Sequence, residues 1–400
     1  MKFHKKNKFD VTFETLNSVI KKIMGFKQNL SSKTSFLGFD GYIDSLYFLV
    51  KSRKDALNFQ KMKKMNEFAE FVSKVAGSSG NIERILKKKT SGGFAPNTAK
   101  ALNTLGIKIN LVAAMGYPNI YDVFTSLSSK ESINAISFSN PGETLGLEFH
   151  DGKVLLPDFS NIIKLNWELI KDRVGLNTLI FLMNHSNILG FGHWSSIPRF
   201  NEIWENIVNE VLPNINNSQE KILFTDLADI KKRSTYDIKK MIKLLKKINE
   251  YIPVLLSLND QEAVDITKNL DHVATIDPSK KNFKDYFDVG KRMNQELNLS
   301  YLVIHSPHFA TISLSNEEHY WVTEGFTSKP KYTTGAGEYF HSGTIAALSC
   351  EMSPNESILI GNALTAIFVR TGSPPTFDKL KEYIFDYMSY IEEDKPEFPN

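Results

Sequence analysis

Along the 400-residue chain, short apolar runs alternate with longer amphipathic segments. Ser35 to Phe39, Ile109 to Met115, Thr178 to Met183, Ile222 to Thr225, Val254 to Leu258 and Tyr301 to His305 are apolar stretches of strand length, and the pattern predicts strands there. Between them, Asn97 to Leu105, Pro198 to Leu212, Tyr236 to Ile248 and Phe283 to Leu297 repeat apolar residues at helical spacing. Such alternation predicts a mainly parallel sheet covered by helices on both faces, with ligands gathering at the carboxyl ends of the strands. Residues 11 to 24 put Phe13, Leu16, Ile20, Ile23 and Met24 on one helical face, which predicts an N-terminal helix docked on the body.

Two regions break the rhythm. Residues 45 to 90 hold a Lys-rich helical stretch ending in the flexible segment Gly77 to Asn81, and residues 138 to 158 alternate apolar and polar as a hairpin does. Together they are expected to form a lid. With 42% hydrophobic and 23% charged residues, the composition is that of a soluble globular protein. The balance of 48 Lys+Arg against 45 Asp+Glu gives no electrostatic case for nucleic acid or a membrane as partner. Cys350 is the single cysteine, no Cys/His cluster has zinc spacing, and the basic start leads to no long apolar run. A cytoplasmic protein is therefore expected.

Three segments carry candidate chemistry. Thr333-Thr334-Gly335-Ala336-Gly337-Glu338 precedes a predicted helix. Small residues there let backbone N–H groups converge on a phosphate, and the helix dipole adds positive potential. Glu338 would stand beside that anion, placed to take a proton from a hydroxyl; the plainer reading is a Gly-rich turn with an acidic helix start. Ser91-Gly92-Gly93-Phe94-Ala95-Pro96-Asn97 leads into another predicted helix, with Gly106 as its C-terminal cap. There the glycines admit a ligand to the backbone and Asn97 offers a donor and an acceptor, or Asn97 is simply the N-cap. Asp40 and Asp44, at the end of the first predicted strand, would accept hydrogen bonds from a polyol or else sit in a solvated turn.

In this order and at these distances the three segments resemble the ribokinase-like, or phosphofructokinase B, family of carbohydrate and nucleoside kinases. Two further stretches are similar: Asn259-Asp260-Gln261-Glu262 to the family's Asn-x-x-Glu motif, and Gly361 to Ala366 with Arg370-Thr371-Gly372 to its C-terminal helix and turn beside the adenine. The likeness spans about Ser35 to Pro375. It implies a ribokinase-like α/β domain over residues 31–375, flanked by an N-terminal helical extension (1–30) and a C-terminal helix and tail (376–400). It further implies transfer of the γ-phosphoryl group of ATP to a hydroxyl of a sugar-like molecule. In that scheme Asp44, Gly92, Gly93 and Asn97 hold the acceptor, and Glu338 is the base. Thr334, the Gly335–Gly337 turn and Asn362 serve the nucleotide, while Asn259 and Glu262 act on Mg2+ through water; as an alternative, those two form a capping box. A nucleoside kinase and a sugar-binding protein with weakened catalysis are the other readings, and family lids often pair two chains, which leaves a homodimer open.

The chain departs from the family pattern at three places. The base is Glu338 where the family has aspartate, Tyr332 replaces an acidic residue tied to a monovalent-cation site, and the usual Gly-rich loop reads His305-Ser306-Pro307-His308-Phe309-Ala310. His305 and His308 would either supply lost phosphate donors or simply pack. Lys231 and Arg233 would either bind an acceptor phosphate or form a solvated charge run.

Overall fold

A computed structural model describes residues 8–273 and 283–398. In chain order the strands are β1 (Thr34–Phe39), β2 (Tyr42–Arg53), β3 (Phe59–Lys61), β4 (Arg84–Gly92), β5 (Lys108–Ala114), β6 (Ile133–Ser139) and β7 (Gly142–Phe149). They continue as β8 (Gly152–Asp158), β9 (Ile188–Phe191), β10 (Ile222–Asp226), β11 (Val254–Asn259), β12 (Tyr301–His305), β13 (Phe309–Leu314) and β14 (His319–Thr323). Among the described residues nine strands form one sheet in the order β14-β13-β12-β11-β10-β9-β1-β5-β6. From β6 to β12 all pairings are parallel; β13 and β14 fold back antiparallel at one edge. Every residue of β9 is buried and only the last residue of β10 and of β11 is not, as expected for strands covered on both faces.

One apolar layer packs Leu37, Leu111 and Phe224 against the helices Lys8–Leu30, Phe94–Thr104, Ala336–Ser349 and Pro354–Thr371. The opposite layer packs Phe36, Leu189 and Leu256 against the helices Thr235–Asn249 and Phe283–Leu297. Where Ala336–Ser349 crosses Pro354–Thr371 the backbones touch: a Cβ on Gly343 would lie 2.8 Å from the Gly361 Cα. The remaining strands form a second sheet, in which β2 pairs antiparallel with β3 and β4 and parallel with β7, and β8 closes the hairpin with β7. This sheet has its own small core of Leu49, Met62, Leu147 and Phe149, against which Phe68 of the helix Met65–Lys74 packs.

The architecture follows the predicted alternation, with three corrections. Thr178 to Met183 is not a strand but part of the helix Leu176–Asn184. Its buried residues Leu179, Leu182 and Met183 have helical spacing, and the strand lies further on at β9. The N-terminal helix spans Lys8–Leu30 and keeps part of the predicted face: Leu16 and Ile23 are buried with Val19, Phe26 and Leu30, and Ile20 packs against them, whereas Phe13 and Met24 are 51% and 54% exposed. Within residues 45 to 90 the helical stretch is confined to Met65–Lys74, and Lys87, Lys88 and Lys89 belong to β4, where they are exposed, rather than to a helical stripe. The hairpin over 138 to 158 forms as expected, as β7 and β8.

Candidate active site

The cleft is assembled from chain ends that leave the large sheet in one direction. Just after β1, Asp40 is fully buried, and its oxygens accept from the N–H groups of Phe94 (2.8 Å) and Ala95 (2.9 Å) while His193 Nδ1 stands 2.8 Å away. A carboxylate at this helix start satisfies donors that have no acceptor within the helix and complements its dipole. Asp40 therefore anchors the site and offers no free face to a polyol. Gly93 is required next to it: its φ is 98°, and a Cβ would lie 2.8 Å from Asp40 Oδ2. The N-cap of this helix is Gly93, so Asn97 is not the cap but stands one turn inside, its own N–H bonded to Gly93 O.

Asp44, on β2, lies across Gly92, where a Cβ would fall 2.0 Å from Oδ2. Burial raises its pKa, against the pull of a Thr144 hydrogen bond and the nearby Lys100 and His193 charges. From the other wall, Asn97 Nδ2 donates to Glu338 Oε1 at 3.3 Å. Glu338 is the third residue of its helix rather than the first, since Ala336 opens it and Gly335, at φ 94°, caps it. Burial raises the Glu338 pKa; the His193 charge opposes this and Asp226 adds to it. Lys100 Nζ completes this wall, donating to Ser91 O (2.6 Å) and Asn97 Oδ1 (3.2 Å). Thus Asp44, Asn97, Lys100 and Glu338 come together from three distant parts of the chain.

On the donor side the exposed Thr334 leads into the Gly335–Gly337 turn. The Ala336 N–H is engaged by Thr333 O at 3.2 Å, while those of Gly335, the N-cap, and Gly337, in the first helical turn, have no acceptor within the helix. Asn362 is fully buried beside Tyr387 and presents nothing to a nucleotide, contrary to its expected role. Asn259 and Glu262 do form a reciprocal capping box at 2.9 Å in each direction. The Glu262 pKa is raised well above the carboxylate range by burial and by the neighbouring Asp226, whose own pKa burial also raises.

The altered loop closes on itself, with Ser306 N–H bonded to Phe309 O and His308 N–H to Ser306 Oγ. His305 stacks on Phe340 at 4.4 Å, and burial pulls its pKa down to about 4, so it packs as a neutral ring. Arg233 donates to the carbonyls of Trp194, Ile197 and Pro198, which makes it a structural brace rather than a phosphate ligand; Lys231 is exposed near Asp265. Tyr332 lies against Gly372, where a Cβ would meet its ring at 2.3 Å.

Sequence reasoning missed two residues of the cleft. Lys100 sits three positions beyond Asn97, on the same helical face, and that spacing was the available signal. His193 follows β9, the strand displaced in the sequence reading. It holds a left-handed conformation at φ 55° although it is not glycine. Burial is the largest influence and works against its charge, but the Asp40 charge and hydrogen bond, with the charges of Asp226 and Glu338, together outweigh it and the pKa is pushed up to about 10.

A family model described as prokaryotic ketohexokinase matches residues 12–387. The chain is 28% identical over 363 residues to a ketohexokinase of Haloferax volcanii, a span of 89% of this chain and 92% of that relative. Among solved structures, a carbohydrate kinase from Agrobacterium tumefaciens gives a TM-score of 0.60 at 16% identity, covering 88% of this chain and 97% of the other. Arabidopsis thaliana ribokinase complexed with ribose and ATP gives 0.60 at 13% identity, covering 88% and 98%. A Methanocaldococcus jannaschii nucleoside kinase gives 0.54 at 13% identity, again covering 88% and 98%. Kinases of sugars and of nucleosides share this fold, so these structural likenesses show the fold and leave the acceptor to be argued from the site.

Proposed function

We propose, from the premise that this chain belongs to the prokaryotic ketohexokinase family, that its acceptor is a ketohexose and that Glu338 is the general base. The chain is a ribokinase-like carbohydrate kinase, a phosphotransferase that uses ATP and takes a sugar hydroxyl as acceptor. The observation that carries the residue roles is the approach of Glu338 Oε1 to the Asn97 amide at 3.3 Å, on the wall facing Asp44. A sugar bound between Asp44 and Asn97 presents a hydroxyl to Glu338, which accepts its proton as the oxygen attacks phosphorus. The Gly337 N–H and the positive end of its helix stabilise the charge on the phosphoryl group in transit. The second sheet brings Asp44 and Thr144 over the acceptor and excludes water from it.

The buried Glu262 and the partly buried Asp226 are carboxylates that repel one another, a pairing that a divalent cation relieves, so the residues present fit Mg2+ held through water. When bound, that ion neutralises phosphate charge. Asn259 fixes the Glu262 carboxylate through the capping box.

The test is ADP release from Mg-ATP with a panel of ketohexoses, aldohexoses and nucleosides, with the phosphorylated position read by 31P NMR. A ketohexose is expected to give the highest kcat/KM, and Glu338→Gln to lower turnover about 10²–10⁴-fold with little change in sugar affinity. Preference for a nucleoside removes the acceptor reading. Equal turnover in the Gln variant removes Glu338 as base, and sugar binding without transfer in either protein makes this a binding protein.

A further inference from the structure

Asn97 is held between two groups that can each contact only one end of its amide. An ammonium has donors and no acceptor, so the atom 3.2 Å from Lys100 Nζ is the carbonyl oxygen. An ionised carboxylate accepts only, so the atom 3.3 Å from Glu338 Oε1 is the amide nitrogen. The flip state of Asn97, ordinarily free to invert, is thereby set by its neighbours. Lys100 is itself fixed by the 2.6 Å bond to Ser91 O, at the end of β4. A continuous chain runs from the Ser91 carbonyl through Lys100 and Asn97 to the base.

We propose that Lys100 is a positioning residue: it locks the Asn97 amide with Nδ2 toward Glu338 and so holds the Glu338 carboxylate at the acceptor hydroxyl. The inference rests on the reading of Glu338 as base. The charged groups that face Lys100 are Asp44 from β2, Lys88 from β4 and Glu338 from its helix. Burial draws its pKa down to about 8, with Asp44 and Glu338 opposing and Lys88 assisting. Once deprotonated, the amine gains a lone pair and accepts as readily as it donates, so the lock on the amide is lost.

The experiment compares wild type, Lys100→Met, Lys100→Gln, Asn97→Ala and Lys100→Met/Asn97→Ala, with a thermal melt for each. For Lys100→Met a loss in kcat of about 10- to 100-fold is expected, with KM for Mg-ATP within about twofold of wild type, because a misplacement near 1 Å suffices for such a loss. Lys100→Gln, whose amide still donates, recovers part of it. The double variant loses no more than Asn97→Ala alone, since Lys100 acts through Asn97. In wild type kcat declines above pH ~8 with the Lys100 charge, and this limb is absent from Lys100→Met. Wild-type kcat in a folded Lys100→Met, or losses that multiply in the double variant, overturn the proposal. Should Lys100→Met not fold, the wild-type profile decides, a flat kcat from pH 7 to 9 overturning it. Glu338→Gln at full turnover overturns the base reading itself, whereas full turnover in Lys100→Met beside an inactive Glu338→Gln overturns only this inference.

Discussion

Gly92→Ala tests the acceptor wall with one methyl group. The added Cβ falls 2.0 Å from Asp44 Oδ2, 2.8 Å from its Cγ and 3.2 Å from Oδ1. Carbon and oxygen settle near 3.3 Å apart, so the carboxylate must retreat by roughly 1.3 Å. Gly92 itself has no left-handed φ, so the backbone accepts alanine and the effect is confined to Asp44. A displacement of about 1 Å in a substrate-positioning group costs on the order of 10²-fold, equivalent to ~2.7 kcal/mol in the barrier. We therefore expect kcat/KM for the sugar to fall about a hundredfold while KM for Mg-ATP is unchanged. Initial-rate kinetics in both substrates, with a thermal melt to confirm folding, make the measurement. A folded Gly92→Ala enzyme with wild-type kcat/KM would show that Asp44 does not touch the acceptor and would undo the placement of the sugar between β2 and Asn97.

Three further outcomes follow from the packing and charges. Gly361→Ala puts a Cβ 2.2 Å from Thr344 Oγ1 and 2.8 Å from Phe340 O, and is expected to destabilise by about 1–3 kcal/mol by urea unfolding; an unchanged midpoint contradicts the tight crossing of the two helices. Gly25→Ala meets nothing within 4 Å inside the helix Lys8–Leu30 and should stabilise by about 0.5–1 kcal/mol in the same assay; a loss contradicts the helix assigned there. His193 is a cation that lowers the Glu338 pKa, so His193→Gln should raise that pKa and shift the acid limb of kcat/KM to higher pH; a limb that stays or moves to lower pH refutes the coupling.

The sequence was most legible where a pattern is local. Period and turn residues placed β1, β5, β10, β11 and β12 and the Asn97 helix, and the Gly-rich turns pointed to the two walls of the candidate cleft. Thr178 to Met183 was misread because a short apolar run suits a buried strand or one side of a helix equally well, and only Gly175 hinted at a helix start. That error carried His193 out of view, since its position depends on where β9 ends. Lys100 was missed for another reason: a lysine in an amphipathic helix ordinarily faces solvent, and its burial is created by β4 and the Glu338 helix, far away in the chain. Asn362 failed in the opposite sense, a polar residue in a matched motif whose side chain faces the interior.

Asp40 ties together the end of β1, the start of the Asn97 helix 54 residues later and the loop after β9. Asn97 and Glu338, the next link in the cleft, are 241 residues apart. No contiguous stretch of the chain therefore contains a working half of this site. During refolding, phosphoryl transfer should return with the last long-range contacts rather than with helix content, which makes turnover a stringent reporter of the completed fold. For the same reason, two fragments cut between β8 and β9 should each be silent, and activity on mixing them would measure their assembly directly.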